Sequence, residues 1–270
     1  MNTVSLGPLL AQGRTAEVYA WQDGQVLKLF FSGYPPGVAQ HEIEIGRVVS
    51  SMGLPTPKLI DALEVDGRQG IVYERVEGPS MLRQLREKPW RLFQLGRQMA
   101  ELQAEIHRQK GTGLPLLQPA LRASMQRLEK MPPDLQNGVR RLAQTLPDGD
   151  ALCHLDFHPD QVLMTARGPV IIDWLTAHQG HPLADVARTC VLLRIGQVPY
   201  GSRAARAAIN LWRGMFYRAY IARYLALHPS ISLEEIRAWM VLAAADRLNE
   251  QIAGEEAPLL RTIRSYLRAQ

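Results

Sequence analysis

Two carboxylates in the second half of the chain occupy positions suited to chemistry. Asp156 lies in His154-Leu-Asp-Phe-His-Pro-Asp-Gln161, a loop-like stretch between apolar segments. Such loops are where a rigid scaffold displays functional groups. Asp173 closes the apolar run Val170-Ile-Ile172, which reads as a buried strand. A carboxylate at the end of a buried strand needs a partner, because an unpaired buried charge is costly. A divalent cation fits that need. Mg²⁺ prefers oxygen ligands and takes only one or two from protein, completing its shell with water and phosphate. The amide oxygen of Gln161 is a second candidate ligand.

Phosphoryl transfer from ATP uses this kind of set. It needs a carboxylate to orient the attacking hydroxyl, oxygen ligands for Mg²⁺, a cation for the phosphates and a cover over them. Asp156 can act as the base, with Gln161 and Asp173 on the metal. Far upstream, Lys28 can reach the α- and β-phosphates, and Glu42 can hold Lys28 by an ion pair. The turn Gly13-Arg-Thr-Ala-Glu17, with Thr15 at its centre, can cover the phosphates with backbone N–H groups.

The elements that must position these groups follow from pattern. Ala16 to Trp21 and Gln25 to Phe31 read as strands around Asp23-Gly24, a dipeptide suited to a tight hairpin. Val38 to Met52 has helical spacing, with Ile45, Val48, Val49 and Met52 on one face. Gly53-Leu-Pro-Thr-Pro57 ends that helix, since proline disfavours helical geometry in the residue before it. Leu59 to Val65 and Gly70 to Val76 read as a second hairpin turning at Asp66-Gly67. Beyond the linker Gly78-Pro-Ser80 the chain turns helical. Leu95, Met99, Leu102 and Ile106 mark a long amphipathic helix, and two more helices are expected before Pro147. A β-rich insert over Ala151 to Trp174 precedes helices running from Pro182 onward. Ser232-Leu-Glu-Glu235 has the form of a helix capping box. The expected division is a β-rich lobe over residues 1–77 and a mainly helical lobe over residues 78–270.

Composition narrows the function classes. The chain has 270 residues, 46% hydrophobic and 21% charged, with a net charge of +5, ordinary values for a soluble globular protein. The basic residues are scattered, so nucleic acid is not an expected partner. Arg122, Arg127, Arg140, Arg141, Arg203, Arg206 and Arg213 read as solvated helix faces. Cys153 and Cys190 sit in apolar runs without C-x-x-C spacing, reading as buried reduced thiols that suit a cytoplasmic enzyme. Met1 to Arg14 lacks a basic segment followed by an apolar core, so no signal peptide is expected. No apolar stretch approaches the roughly 20 residues that cross a bilayer, and no membrane association is expected. P-loop and Rossmann fingerprints are missing from the sequence. Oligomeric state is not legible.

The motifs resemble the aminoglycoside phosphotransferase and choline kinase family. That family carries H-G-D-F-H-P-x-N, then I-D-W, then G-x-P-x-x-D-x-A. Here stand His154-Leu-Asp-Phe-His-Pro-Asp-Gln161, Ile172-Asp-Trp174 and Gly180-His-Pro-Leu-Ala-Asp-Val-Ala187. The likeness runs from about Val4 to the C-terminus and is strongest between Ala151 and Ala187. It implies an α+β, bilobal protein-kinase-like fold: a small β-rich N-lobe with one helix and a larger mainly helical C-lobe. It also implies ATP and Mg²⁺ as cofactors and a small-molecule hydroxyl, of an antibiotic or metabolite, as acceptor. Asp156 would be the base, Asp173 a Mg²⁺ ligand, and Asp185 a brace for the catalytic loop. His41-Glu42 resembles the family's R-E element and selects Glu42 over Glu44 as the lysine's partner. Ile71-Val-Tyr-Glu-Arg-Val-Glu-Gly78 resembles the hinge, where the backbone of Glu74 and Val76 would bind adenine.

This chain departs from the pattern at two positions: Gln161 replaces asparagine and Leu155 replaces glycine. These changes leave open a pseudokinase that binds nucleotide without transfer. A third reading takes His154, Asp156 and His158, which share a face in extended geometry, as zinc ligands of a hydrolase. It leaves Lys28 and Glu42 unexplained. Asp246 and Glu250, four apart on a helix and near Glu255 and Glu256, read as a solvated face; the alternative is an acidic patch for a cationic substrate.

Overall fold

The structure, a computed structural model, describes residues 6–13, 15–196 and 202–269, without the side chains of Pro36 and Arg203. Val4, Arg14 of the turn expected to cover the phosphates and the Arg203 side chain therefore lie outside the described residues. The chain packs as two compact units. The first comprises Met1–Met81 and Asp160–Leu175, the second Leu82–Pro159 and Thr176–Gln270.

The first unit is built on an antiparallel sheet of strands β1 (Leu9–Gln12), β2 (Ala16–Ala20), β3 (Gln25–Phe30), β4 (Leu59–Val65) and β5 (Arg68–Glu74), in the order β1-β2-β3-β5-β4. At the β4–β5 turn Asp66 and Gly67 both adopt positive φ, 51° and 75°, which matches the twist of a tight hairpin. Strand β3 alternates by period two. Leu27 and Leu29 pack with Val65 and Val72 on one face. Phe30 lies on the other, with Ala16, Ile71 and helix α1 (Pro36–Ser50), which contributes Ala39 and Ile43. Lys28 is two residues from Phe30, so it points toward α1. Gly53, at φ 71°, follows the end of that helix.

A second hairpin, β7 (Val162–Thr165) and β8 (Gly168–Ile171), belongs to this unit although it lies far along the chain. It is held by backbone bonds: Ile171 N–H donates to Pro55 O at 2.7 Å, and Met164 N–H to Pro79 O at 2.8 Å. The Gly53-Leu-Pro-Thr-Pro57 segment thus does more than stop α1. Its carbonyl anchors the strand that ends just before Asp173.

The second unit is helical. Helix α2 (Met81–Glu87) leads into α3 (Leu92–His107), followed by α4 (Leu117–Gln126), α5 (Pro133–Thr145), α6 (Pro182–Ile195), α7 (Arg203–Leu227), α8 (Leu233–Asn249) and α9 (Glu256–Leu267). Strands β6 (Ala151–Cys153) and β9 (His178–Gly180) pair antiparallel, Cys153 opposite His178. Helix α8 packs against α4, α5, α6 and α9, and accordingly buries ten of its residues, from Ile236 to Leu248. It starts with the expected capping box, Ser232 and Glu235 each capping the other's backbone N–H. Both cysteines are free and buried; burial raises the Cys190 thiol to about 12. Arg213 departs from the expected solvated face. It lies partly buried and donates to the carbonyls of Leu192, Leu193 and Gly196, holding the end of α6. No helix among the described residues is long and apolar enough to cross a membrane.

Helices α3 and α7 meet at Gly96, where an added Cβ would stand 2.9 Å from Ala219 Cβ and 3.1 Å from Phe216 O. At Gly214 of α7 an added Cβ meets nothing within 4 Å. Glycine costs about 1 kcal/mol relative to alanine inside a helix. Gly214→Ala is therefore expected to raise the melting temperature by about 2–4 °C, whereas Gly96→Ala is expected to lower it because the helices must separate. Thermal unfolding of the two variants checks the contrast.

Candidate functional site

The first unit assembles a charged cluster around Lys28. Its Nζ donates to Glu42 Oε1 and Oε2 at 2.8 and 2.9 Å and to Asp173 Oδ1 at 3.1 Å. Glu44 faces elsewhere, accepting from Gln40 at 2.8 Å, so Glu42 is the lysine's partner. Burial alone would lower the Lys28 pKa, but the Glu42 and Asp173 charges outweigh it and raise it. The lysine is held charged. Tyr73 on β5 donates its hydroxyl to Glu42 Oε1 at 2.8 Å, and burial, with the Glu42 charge, raises its pKa far above the ordinary value. Glu42 is thereby fixed from two sides while its own side chain is almost fully buried.

Asp173 keeps a more exposed carboxylate, 40% accessible. It adopts φ 62°, a turn that follows β8. Gln161 Nε2 lies 3.4 Å from Asp173 Oδ2, and Ile172 N–H donates to Gln161 O at 3.0 Å. The two residues expected to share a metal are therefore neighbours. A carboxylate and an amide, both hard oxygen donors once the amide presents its oxygen, fit Mg²⁺. Among the described residues no three His, Cys, Asp or Glu side chains form a complete metal cage.

The second unit holds His154 to Pro159 of the loop expected to be catalytic, while Asp160 and Gln161 belong to the first. Asp185, in the first turn of α6 and fully buried, receives the loop's backbone: His154 N–H donates to Oδ2 at 3.1 Å and Leu155 N–H to Oδ1 at 2.6 Å. His107 Nε2 lies 3.0 Å from Oδ2, and its Nδ1 lies 2.8 Å from the Tyr224 hydroxyl. A carboxylate only accepts, so Nε2 carries the proton facing Asp185. Burial would raise the Asp185 pKa, yet the His107 hydrogen bond and charge, with help from His154 and Gln103, lower it overall. Leu155 stands where the related motif has glycine, and it takes φ 63°, a conformation that costs a side-chain-bearing residue about 1–2 kcal/mol. The short bond to Asp185 holds it there. The loop thus keeps a glycine-like backbone without glycine. Asp156 follows, its N–H donating to His154 Nδ1 at 3.3 Å and its Oδ2 3.8 Å from His158 Nε2.

The family model of the phosphotransferase enzyme family (APH) matches residues 8–239. The chain belongs to that family. No curated protein matches its sequence. Among solved structures it is similar to a thermostable mutant of aminoglycoside phosphotransferase APH(4)-Ia in ternary complex with ADP and hygromycin B, at 16% identity and a TM-score of 0.70, covering 99% of this chain and 95% of that one. It is also similar to amicoumacin kinase hAmiN in complex with AMP-PNP, Ca²⁺ and Ami, at 17% identity and 0.58, covering 97% and 88%. A choline/ethanolamine kinase family protein from Mesorhizobium loti is similar at 16% identity and 0.55, covering 97% and 87%. At these identities the likeness establishes the kinase-like fold of this phosphotransferase.

Other expected positions lie as follows. In the turn expected to cover the phosphates, the Gly13 N–H donates to Ala16 O at 2.9 Å, and Thr15 O accepts from Phe31 N–H at 3.0 Å. Glu74 ends β5, its N–H donating to Lys58 O at 2.9 Å, and Val76 lies just beyond. The zinc reading fails, because His154 is fully buried with its Nδ1 turned to the Asp156 N–H. Asp246 and Glu250 are not a simply solvated face: both meet Arg188 of α6. Tyr73, His107, Tyr224 and Arg188 were not singled out by sequence. His107 ends a helix and Tyr73 sits in an apolar strand, so neither carries a local signal of its partner.

The sign of the Asp185 effect gives a test. Its folded pKa lies below the ordinary aspartate value, so its contribution to stability is present above about pH 4 and is lost as pH falls through the folded value. Asp185→Asn is expected to lower the melting temperature at pH 7, and to lose less than the parent on going from pH 5 to pH 3. Thermal unfolding across that range checks it.

Proposed function

We propose that this phosphotransferase moves the γ-phosphoryl group of ATP to a hydroxyl of a small molecule, with Asp156 as catalytic base. The observation that carries the reading is Lys28, kept charged between Glu42 and Asp173. The phosphotransferase family membership supports the same reaction class, as do structural relatives holding ATP analogues or ADP with small-molecule substrates.

In this reading residues 1–77 bind the nucleotide and residues 78–270 supply the catalytic loop and the acceptor pocket. The backbone of Glu74 and Val76 takes adenine, and the turn containing Gly13 and Thr15 lies over the phosphates. Lys28 binds the α- and β-phosphate oxygens, with Glu42 and Tyr73 fixing its position. Asp173 and Gln161 would hold Mg²⁺, which supplies charge neutralisation on the phosphates when bound. Asp156 orients the acceptor hydroxyl and takes its proton as the new P–O bond forms and the β–γ bridging bond breaks, leaving ADP. Asp185 acts through the loop backbone. Positioning and fixed charge do most of the work in a loose transition state of this kind.

The alternative, nucleotide binding without transfer, rests on Gln161 in place of asparagine. Mg²⁺-dependent ATP turnover by the parent and by Asp156→Asn separates the two. Turnover is expected to fall by about 10²–10⁴-fold in the variant, with nucleotide binding, read by fluorescence titration, retained. Equal turnover in parent and variant removes Asp156 from the mechanism.

A further inference from the structure

The second unit contains a cavity of about 310 Å³ whose wall includes Leu155, the residue before Asp156. That volume is at the small end of ligand pockets. One side is apolar, formed by Leu117, Leu121, Trp239 and Leu242. The other carries Arg127, Arg188, Asp246 and Glu250.

The two carboxylates are already compensated. Asp246 Oδ1 accepts from the Ser124 hydroxyl at 2.5 Å, and its Oδ2 lies 3.6 Å from Arg188 Nη1. Glu250 is bound by Arg188 Nη2 and by Arg247 Nη1, the latter at 2.7 Å. Arg247 in turn holds the buried Glu255 through two bonds, at 2.7 and 3.1 Å. Arg188 and Arg247 thus compensate Asp246, Glu250 and Glu255, with the Asp156 charge also acting on Arg247, and Arg127 adds a further positive charge to the cavity wall. An entering ammonium group would have to displace Arg188 from its carboxylates, or add a further positive charge beside two arginines of the wall. Arg188 Nη1 is also buried without a hydrogen-bond acceptor, a donor that an oxygen of a bound molecule can satisfy.

Resting on the phosphotransfer reading above, we infer that the acceptor is a compact, amphiphilic alcohol of zero or low net charge: an apolar body against Trp239 and the leucines, and an oxygen toward Arg188. Polycationic amino sugars are excluded by the arginines, a repulsive element of the kind that sets specificity.

Hygromycin B serves as the polycationic probe, titrated calorimetrically into the parent, Arg188→Ala and Arg127→Glu, all without nucleotide. Arg127 is exposed, so its replacement leaves the core intact if Arg188→Ala fails to fold. The parent is expected to bind hygromycin B weakly or not at all, and each folded variant to gain at least about tenfold in affinity. Micromolar binding by the parent overturns the inference, and so does a failure of Arg127→Glu to gain. An ATP-analogue titration on the same preparations keeps the two readings apart. Loss of nucleotide binding there would sink phosphotransfer and leave the charge result standing.

Discussion

A lysine drawn out of water between two carboxylates is the interaction on which the candidate site of the first unit depends. Burial alone would favour the neutral amine, and a neutral amine could not gather phosphate oxygens. Glu42 and Asp173 reverse that preference. Much of the first unit serves their placement. The β2–β3 hairpin sets the alternation that sends Lys28 to the α1 side of the sheet, and α1 packs Ala39 and Ile43 there so that Glu42 reaches it. Tyr73 fixes the far side of Glu42. The β7–β8 hairpin, tied to Pro55 and Pro79 by backbone bonds, brings Asp173 from far along the chain.

The catalytic loop shows the same logic with the sign inverted. A carboxylate, Asp185, is buried completely and kept ionised by donors from His107 and from two backbone amides. Its work is geometric. It holds Leu155 in a left-handed conformation that a leucine resists, and so presents Asp156 from a defined backbone. Leucine at this position thus takes a φ of 63°, which glycine adopts without strain, and adds a side chain to the wall of the adjacent cavity.

The sequence carried the order of the chemical groups well. Lys28 and Asp173 were legible as charged groups among apolar neighbours that need partners, Glu42 was selected by the resemblance of His41-Glu42 to the family's R-E element, and the structure brings the three side chains together. The hairpin at Asp66-Gly67 and the box at Ser232 and Glu235 were legible because short-range geometry decides them. Contacts made between helices were not. Asp246 and Glu250 looked solvated, since helical spacing tells which residues share a face and not what packs against it; Arg188 arrives from another helix. Strand β9, His178-Gln-Gly180, has no strand-forming side chains and exists through its pairing with β6. The same blindness hid His107 and Tyr224, whose roles are defined by Asp185 rather than by their own surroundings in sequence.

Charge placement recurs in both units: Glu42 and Asp173 fix Lys28 in the first, and Arg188 and Arg247 neutralise Asp246, Glu250 and Glu255 in the second. The most direct measurement of the central claim is ATP affinity with and without Mg²⁺, for the parent and for Asp173→Asn. The account predicts that Mg²⁺ tightens ATP binding by the parent at least about tenfold and has no such effect on Asp173→Asn. Tightening of equal size in both proteins would contradict it.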